Sequence, residues 1–196
     1  MQILRRIAHW QVPLALALVG AAAALFGTEA QELLRYERAA IANGEFWRLL
    51  SGHLVHLGNP HLLLNLAGLL MVWLLVGRLY TTRDWLLVVF VSVLAMDAGF
   101  WFLDTGMRWY VGLSGLLHGM LAAGAIRGFR TLPGESAVIC AAIAAKLAYE
   151  QIVGPLPGSE STAGGSVVVN AHLYGAAGGA VIALVLRRGV RAPASI

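Results

Sequence analysis

The chain has 196 residues, 59% of them hydrophobic and 12% charged, with a mean hydropathy of +0.73. That balance excludes an ordinary soluble domain, which carries about 45–50% apolar and about 25% charged residues. The net charge of +4 sits on arginines that flank apolar runs, without a basic patch interleaved with aromatics, so it gives no sign of a nucleic-acid partner.

Six apolar runs are long enough to cross a bilayer, which takes about 20 residues each. The first, Trp10–Gly27, follows Arg5 and Arg6 as a secretory signal would, but five more runs come after it, so it reads as a retained helix, with His9 at the headgroups. Residues 28–59 are amphipathic: Leu33, Leu34, Tyr36, Ile41, Phe46, Trp47, Leu49 and Leu50 alternate with charges. This segment is expected to lie in the interface as short helices, with Trp47 and Arg48 anchoring at headgroup level. His53 and His56 are assigned interfacial or loop-stabilising roles.

The second and third runs are Pro60–Leu79 and Trp85–Leu103; the fourth and fifth are Tyr110–Ile126 and Ser136–Val153. A Gly/Pro/Ser-rich stretch, "GPLPGSESTAGGSVVV", reads as a mobile flap before the sixth run, Asn170–Leu186. Most connections are short, and there is no internal repeat. The expectation is one all-α membrane bundle of six helices, a single unit over residues 1–196. Cys140, alone in the fifth run, excludes an internal disulfide.

Charge placement orients the bundle. With the N-terminus inside, the inner segments hold nine arginines (Arg5, Arg6, Arg78, Arg83, Arg127, Arg130, Arg187, Arg188, Arg191) and the outer ones four (Arg35, Arg38, Arg48, Arg108). This bias puts both ends in the cytoplasm. The second, fourth and sixth helices then run inward from the outer face, and each carries polar residues near its start. His61 and Asn65 lie one turn apart on the second, Ser114 about four residues into the fourth, and His172 about two residues into the sixth. At 1.5 Å per residue all four sit roughly 2–8 Å below their helix starts.

Glycines would let these helices meet. Gly175 and Gly179 form a small face below His172, and Gly112, Gly115 and Gly119 thin the fourth helix beside Ser114. A neutral His172 in reach of Ser114 would take its proton as base and return it to a leaving amine. His61, Asn65 and backbone N–H groups near Ser114 would donate to a developing oxyanion. Each residue also has a plainer reading, since a membrane serine often bonds its own helix and a membrane histidine often only packs. The shared depth and side of these residues is what the plainer reading leaves unexplained.

The motifs "GEFWRLL", "HLLLN", "GLSG" and "AHLYGAAGG", in this order, resemble those of the rhomboid intramembrane serine proteases over nearly the whole chain. The resemblance implies Ser114 as nucleophile, His172 as general base, His61 and Asn65 at the oxyanion positions, and Trp47 with Arg48 as a loop pair bracing the site, with no cofactor and no metal. His118 stands where many rhomboids have a tyrosine packed on the catalytic histidine, and is expected to support His172 in its place. Together with "GHLVHL", "KLAYEQ" and "GPLPGSE", it makes the chain most similar to the rhombosortase branch. That branch implies substrates ending in a Gly-Gly motif, a hydrophobic helix and a basic tail, cut at the outer face of a bacterial inner membrane.

Three ionisable residues inside the runs require assignment. Asp97 and Glu150 fall near the outer leaflet, so depth alone permits a Ser–His–acid triad; the resemblance implies a dyad and favours structural roles for both. Lys146 and Glu150, at i and i+4, are expected to pair, which leaves a Ser114–Lys146 dyad as the weaker arrangement. A reading from another class is a catalytically silent relative that binds transmembrane helices. A transporter is disfavoured by the lack of inverted repeats and paired broken helices.

Overall fold

The computed structural model describes residues 10–188. Arg5, Arg6, His9 and Arg191, used above for orientation and headgroup contact, lie outside the described residues. In chain order the helices begin with α1 (Gln11–Leu25), α2 (Gly27–Leu34), α3 (Arg38–Ala42), α4 (Arg48–Ser51) and α5 (Asn59–Val76). They continue with α6 (Thr82–Ala98), α7 (Ser114–Gly128), α8 (Pro133–Ile152), α9 (Ser159–Ala163) and α10 (Val169–Arg188). Prolines sit in the first turns of α5 and α8, where a missing N–H costs nothing. Thr81 and Asp84 form a reciprocal capping box at the start of α6.

Three helical stretches are long and apolar enough to cross a membrane: Asn59–Leu79, Thr82–Leu103 and Val169–Leu186. The α1–α2 pair makes a fourth if its two helices, bent by 117°, count as one span. By contrast, α7 has 15 residues, about 22 Å of helix, and α8 carries Glu135, Lys146 and Glu150. The protein is therefore a helical integral membrane protein, and among the described residues three to four helices are long and apolar enough to span.

Two elements depart from the sequence reading. The fourth apolar run does not begin as helix: Trp109–Tyr110 form a short strand, β2, antiparallel to Tyr36–Glu37, β1. Gly112 follows with φ +126°, a conformation L side chains rarely adopt, and its amide bonds the Gly52 carbonyl. Ser114 is therefore the first helical residue of α7 instead of lying a turn inside it, because the hydropathy that runs on from Tyr110 hides the glycine break. The stretch expected as a flap contains a helix, α9, flanked by Gly158 and Gly164 in left-handed conformations, and its Ala163 is buried.

At the centre, α7 buries Leu116, Met120, Ala123 and Ala125. Its Gly115 and Gly119 face Gly175 and Gly179 of α10 so closely that a Cβ on Gly175 would overlap the Gly115 carbonyl, and one on Gly179 the Gly119 carbonyl. Without side chains between them, the two backbones touch.

Candidate active site

That contact sets the distance between the ends of α7 and α10. His172, in the first turn of α10, points Nε2 at Ser114 Oγ over 3.0 Å. His172 is 5% exposed. Because Ser114 opens α7, the first amides of that helix have no carbonyl of their own helix to bond and present the positive end of the helix dipole beside the hydroxyl. Across from them, His61 and Asn65 are buried on α5. The His61 ring accepts from the Leu57 amide through Nδ1 (3.3 Å), and its other edge lies against Gly112, where a Cβ would strike it. Asn65 donates one side-chain N–H to the His61 carbonyl at 3.0 Å, leaving the second. Ser114, His61, Asn65, His118 and His172 line one cavity of about 570 Å³.

His118 does two things at once. Its Nδ1 lies 2.7 Å from the Ser114 carbonyl on its own helix. Its ring stacks on that of His172, with centroids 4.2 Å apart and planes 21° from parallel.

Glu150 contacts more than its helix neighbour. Lys146 donates to its Oε1 at 2.6 Å, as the i, i+4 spacing suggests, while its Oε2 lies 2.9 Å from His172 Nδ1. Lys146 Nζ is itself 3.3 Å from the same nitrogen. The purely structural assignment of Glu150 thus misses a contact with His172. Asp97, the other acid, is elsewhere: it bonds His53 at 3.1 Å, and His53 is 0% exposed, so this histidine belongs to the core beneath the loop and not to the interface. Tyr110, unremarked in the sequence, is buried and donates to the Gly112 carbonyl at 2.7 Å, fixing the turn that precedes Ser114. The signal for it was present in an aromatic two residues before Gly112, the first residue of the G-x-S-G motif.

The loop pair divides. Trp47 is 51% exposed, with its indole N–H 3.4 Å from the Leu33 carbonyl. Arg48 is 6% exposed and is not a headgroup anchor. Its guanidinium donates to the carbonyls of Glu32 (2.8 Å) and Arg35 (3.0 Å) and to Glu45 Oε2 (2.7 Å), so it ties the end of α2 to α4 and the loop before it. Nearby, burial and then the neighbouring His61 lower the His56 pKa to about 4, which keeps that ring neutral.

His118, Glu150 and His172 also offer ligand atoms within 4.8 Å of one another. The Lys146 ammonium holds Glu150 and lies 3.3 Å from His172 Nδ1, and a positive charge so placed makes the cluster a poor cation site. Apart from Ser159 and Ser166, the rest of the cavity wall is mostly apolar. Leu64, Met71 and Leu75 of α5 and Val138 of α8 line it and are also exposed at the protein surface, so the polar end opens onto a greasy channel.

A model of the Rhomboid domain matches residues 43–189, more than half of the chain. No curated protein matches it.

Proposed function

This chain belongs to the rhomboid family, a family of intramembrane serine proteases in general, and from that premise we propose that it is an active endopeptidase with Ser114 as nucleophile and His172 as general base. The observation that carries the reading is the 3.0 Å contact between Ser114 Oγ and His172 Nε2 at the polar end of an apolar cavity. Silent relatives usually lack one of the two residues; this chain keeps both.

In the proposed reaction Oγ attacks the scissile carbonyl while its proton passes to Nε2. The new oxyanion faces the first amides of α7, with His61 and Asn65 as side-chain donors. Collapse of the tetrahedral intermediate breaks the C–N bond, and the Nε2 proton leaves with the amine. Water then hydrolyses the acyl-enzyme by the same steps in reverse roles. The stacked His118 ring supports the base, Gly112 and Gly115 shape the backbone around the nucleophile, and Trp47 with Arg48 hold the first loop against the site.

The substrate we propose is a membrane-anchored protein whose helix packs along the apolar wall between α5 and α8. Following the rhombosortase resemblance, the cut lies near a Gly-Gly motif ahead of a hydrophobic helix and basic tail. Small residues suit the narrow polar end of the cavity, because they leave the backbone accessible to Ser114. The remaining features of the reading are a six-span topology over one unit, both ends cytoplasmic, and the site facing the outer side of a bacterial inner membrane.

A fluorophosphonate probe tests it. Wild type should label and Ser114→Ala should not; an unreactive wild type supports the silent, helix-binding relative. Co-expression with a Gly-Gly-tailed protein, followed by mass spectrometry of the product's C-terminus, tests the cleavage site.

A further inference from the structure

Two groups of opposite character compete for one nitrogen of His172. Glu150 Oε2 lies 2.9 Å from Nδ1 and Lys146 Nζ lies 3.3 Å from it, while Lys146 also holds Glu150 Oε1 at 2.6 Å. Glu150 is 3% exposed, so both its oxygens are engaged inside the protein. A neutral imidazole carries a single N–H. For Nε2 to accept the Ser114 proton, that N–H must sit on Nδ1, and only a carboxylate can receive it there, since an ammonium donates and cannot accept. In the other tautomer Nδ1 accepts from Lys146 and Nε2 donates toward Ser114. That arrangement is the wrong way round for a base.

We infer that Glu150 is a positioning residue for the hydrolytic site: it takes the Nδ1 hydrogen, fixes the base-competent tautomer of His172, and by holding Lys146 keeps the ammonium from claiming that nitrogen. The inference rests on the reading of Ser114 and His172 as nucleophile and base. A carboxylate that served only to neutralise Lys146 would need one oxygen; the second is directed at His172. The other groups facing this ring are His118, stacked on it from α7, and His61, across the cavity on α5. Neither is an anion, so among the described residues facing the ring Glu150 is the one that can oppose the charge of the imidazolium that forms when the serine proton arrives. The carboxylate stays ionised throughout, and no proton passes to it.

The test is the concentration dependence of fluorophosphonate labelling of the full chain in detergent, which separates the inactivation rate from the probe's apparent affinity. Glu150→Gln should slow inactivation by about 10²–10⁴-fold while changing apparent affinity by less than about threefold, as expected when orientation of the base is lost. Glu150→Asp, which keeps the carboxylate, should recover at least about tenfold over Glu150→Gln. Adding Lys146→Met to Glu150→Gln should also restore about tenfold, because the competing ammonium is gone; a merely structural pair would not recover when its second member is removed. Glu150→Gln labelling as fast as wild type overturns the inference, as does a double variant no faster than Glu150→Gln alone. If Glu150→Gln fails to fold, Glu150→Asp decides, since slow labelling by a folded Glu150→Asp that Lys146→Met does not improve also overturns it. A wild type that does not label overturns the protease reading and this inference together, whereas a reactive wild type with an indifferent Glu150 overturns the inference alone.

Discussion

On one side of α7, Gly115 and Gly119 lie against Gly175 and Gly179 of α10 with no side chain between the backbones. On the other side the same helix looks into a cavity of about 570 Å³ walled by exposed leucines, a methionine and a valine. The two sides answer to different demands. A proton transfer needs heavy atoms within about 2.6–3.2 Å, and a glycine seam is the stiffest way to set that distance, because backbone has no rotamers to relax. A transmembrane segment of varied sequence needs tolerant space, which flexible apolar side chains provide. Ser114 and His172, the proposed nucleophile and base, lie where the tight side and the loose side meet.

That contrast can be broken in five places. Removing either reacting group should have the largest effect: Ser114→Ala and His172→Ala should each lower cleavage of a transmembrane substrate by roughly 10⁴–10⁶-fold with membrane insertion intact. The double variant should be no worse, because the two act as a unit. Next comes the oxyanion side, where Asn65→Ala should reduce kcat by about 10²–10³-fold with little change in KM; a change confined to KM would make Asn65 a substrate contact.

The tight seam itself is probed by Gly175→Ala. Its Cβ meets the Gly115 carbonyl, so the helices must separate, at about 1–3 kcal/mol of stability. A shift on the order of 1 Å between Ser114 and His172 costs about 10²-fold in rate. Thermal unfolding and probe labelling read the two effects separately. His118→Tyr should keep most of the activity, since a ring still stacks on His172, while His118→Ala should lose roughly tenfold by leaving a void beside the base. The smallest effect belongs to the loose side: Val138→Ala, at an exposed wall position, should change stability by no more than about 0.5 kcal/mol and alter KM for long substrates without altering kcat. Equal sensitivity of Gly175 and Val138 would erase the distinction between the two sides.

Ser114, His61, Asn65 and His172 were legible before any coordinates, because helix periodicity and the direction of each span assign depth and side. The same logic found the Lys146–Glu150 pair, which is local. It could not find the Glu150–His172 contact, where the partners are 22 residues apart, or His53–Asp97, 44 apart. Those depend on how each helix is rotated about its axis, and single-chain hydropathy is nearly blind to rotation when every face is apolar. Arg48 was misplaced for a related reason: a basic residue beside a tryptophan has the same composition whether it reaches for lipid or for two carbonyls and a carboxylate of its own loop. The start of α7 was missed because a run of apolar residues looks continuous even where Gly112 reverses the backbone.

The separation of the proposed nucleophile and base along the chain has a consequence in time. Ser114 and His172 are 58 residues apart, so at about 5–20 residues per second the ribosome needs roughly 3–12 s to deliver the base after the serine has emerged. Throughout that interval Ser114 lacks the His172 imidazole that lies beside it in the folded chain. Only when the α10 glycines pack against α7 does the proposed base come within 3.0 Å of the hydroxyl. On the proposed reading, docking of α10 against α7 is thus the step that completes the site.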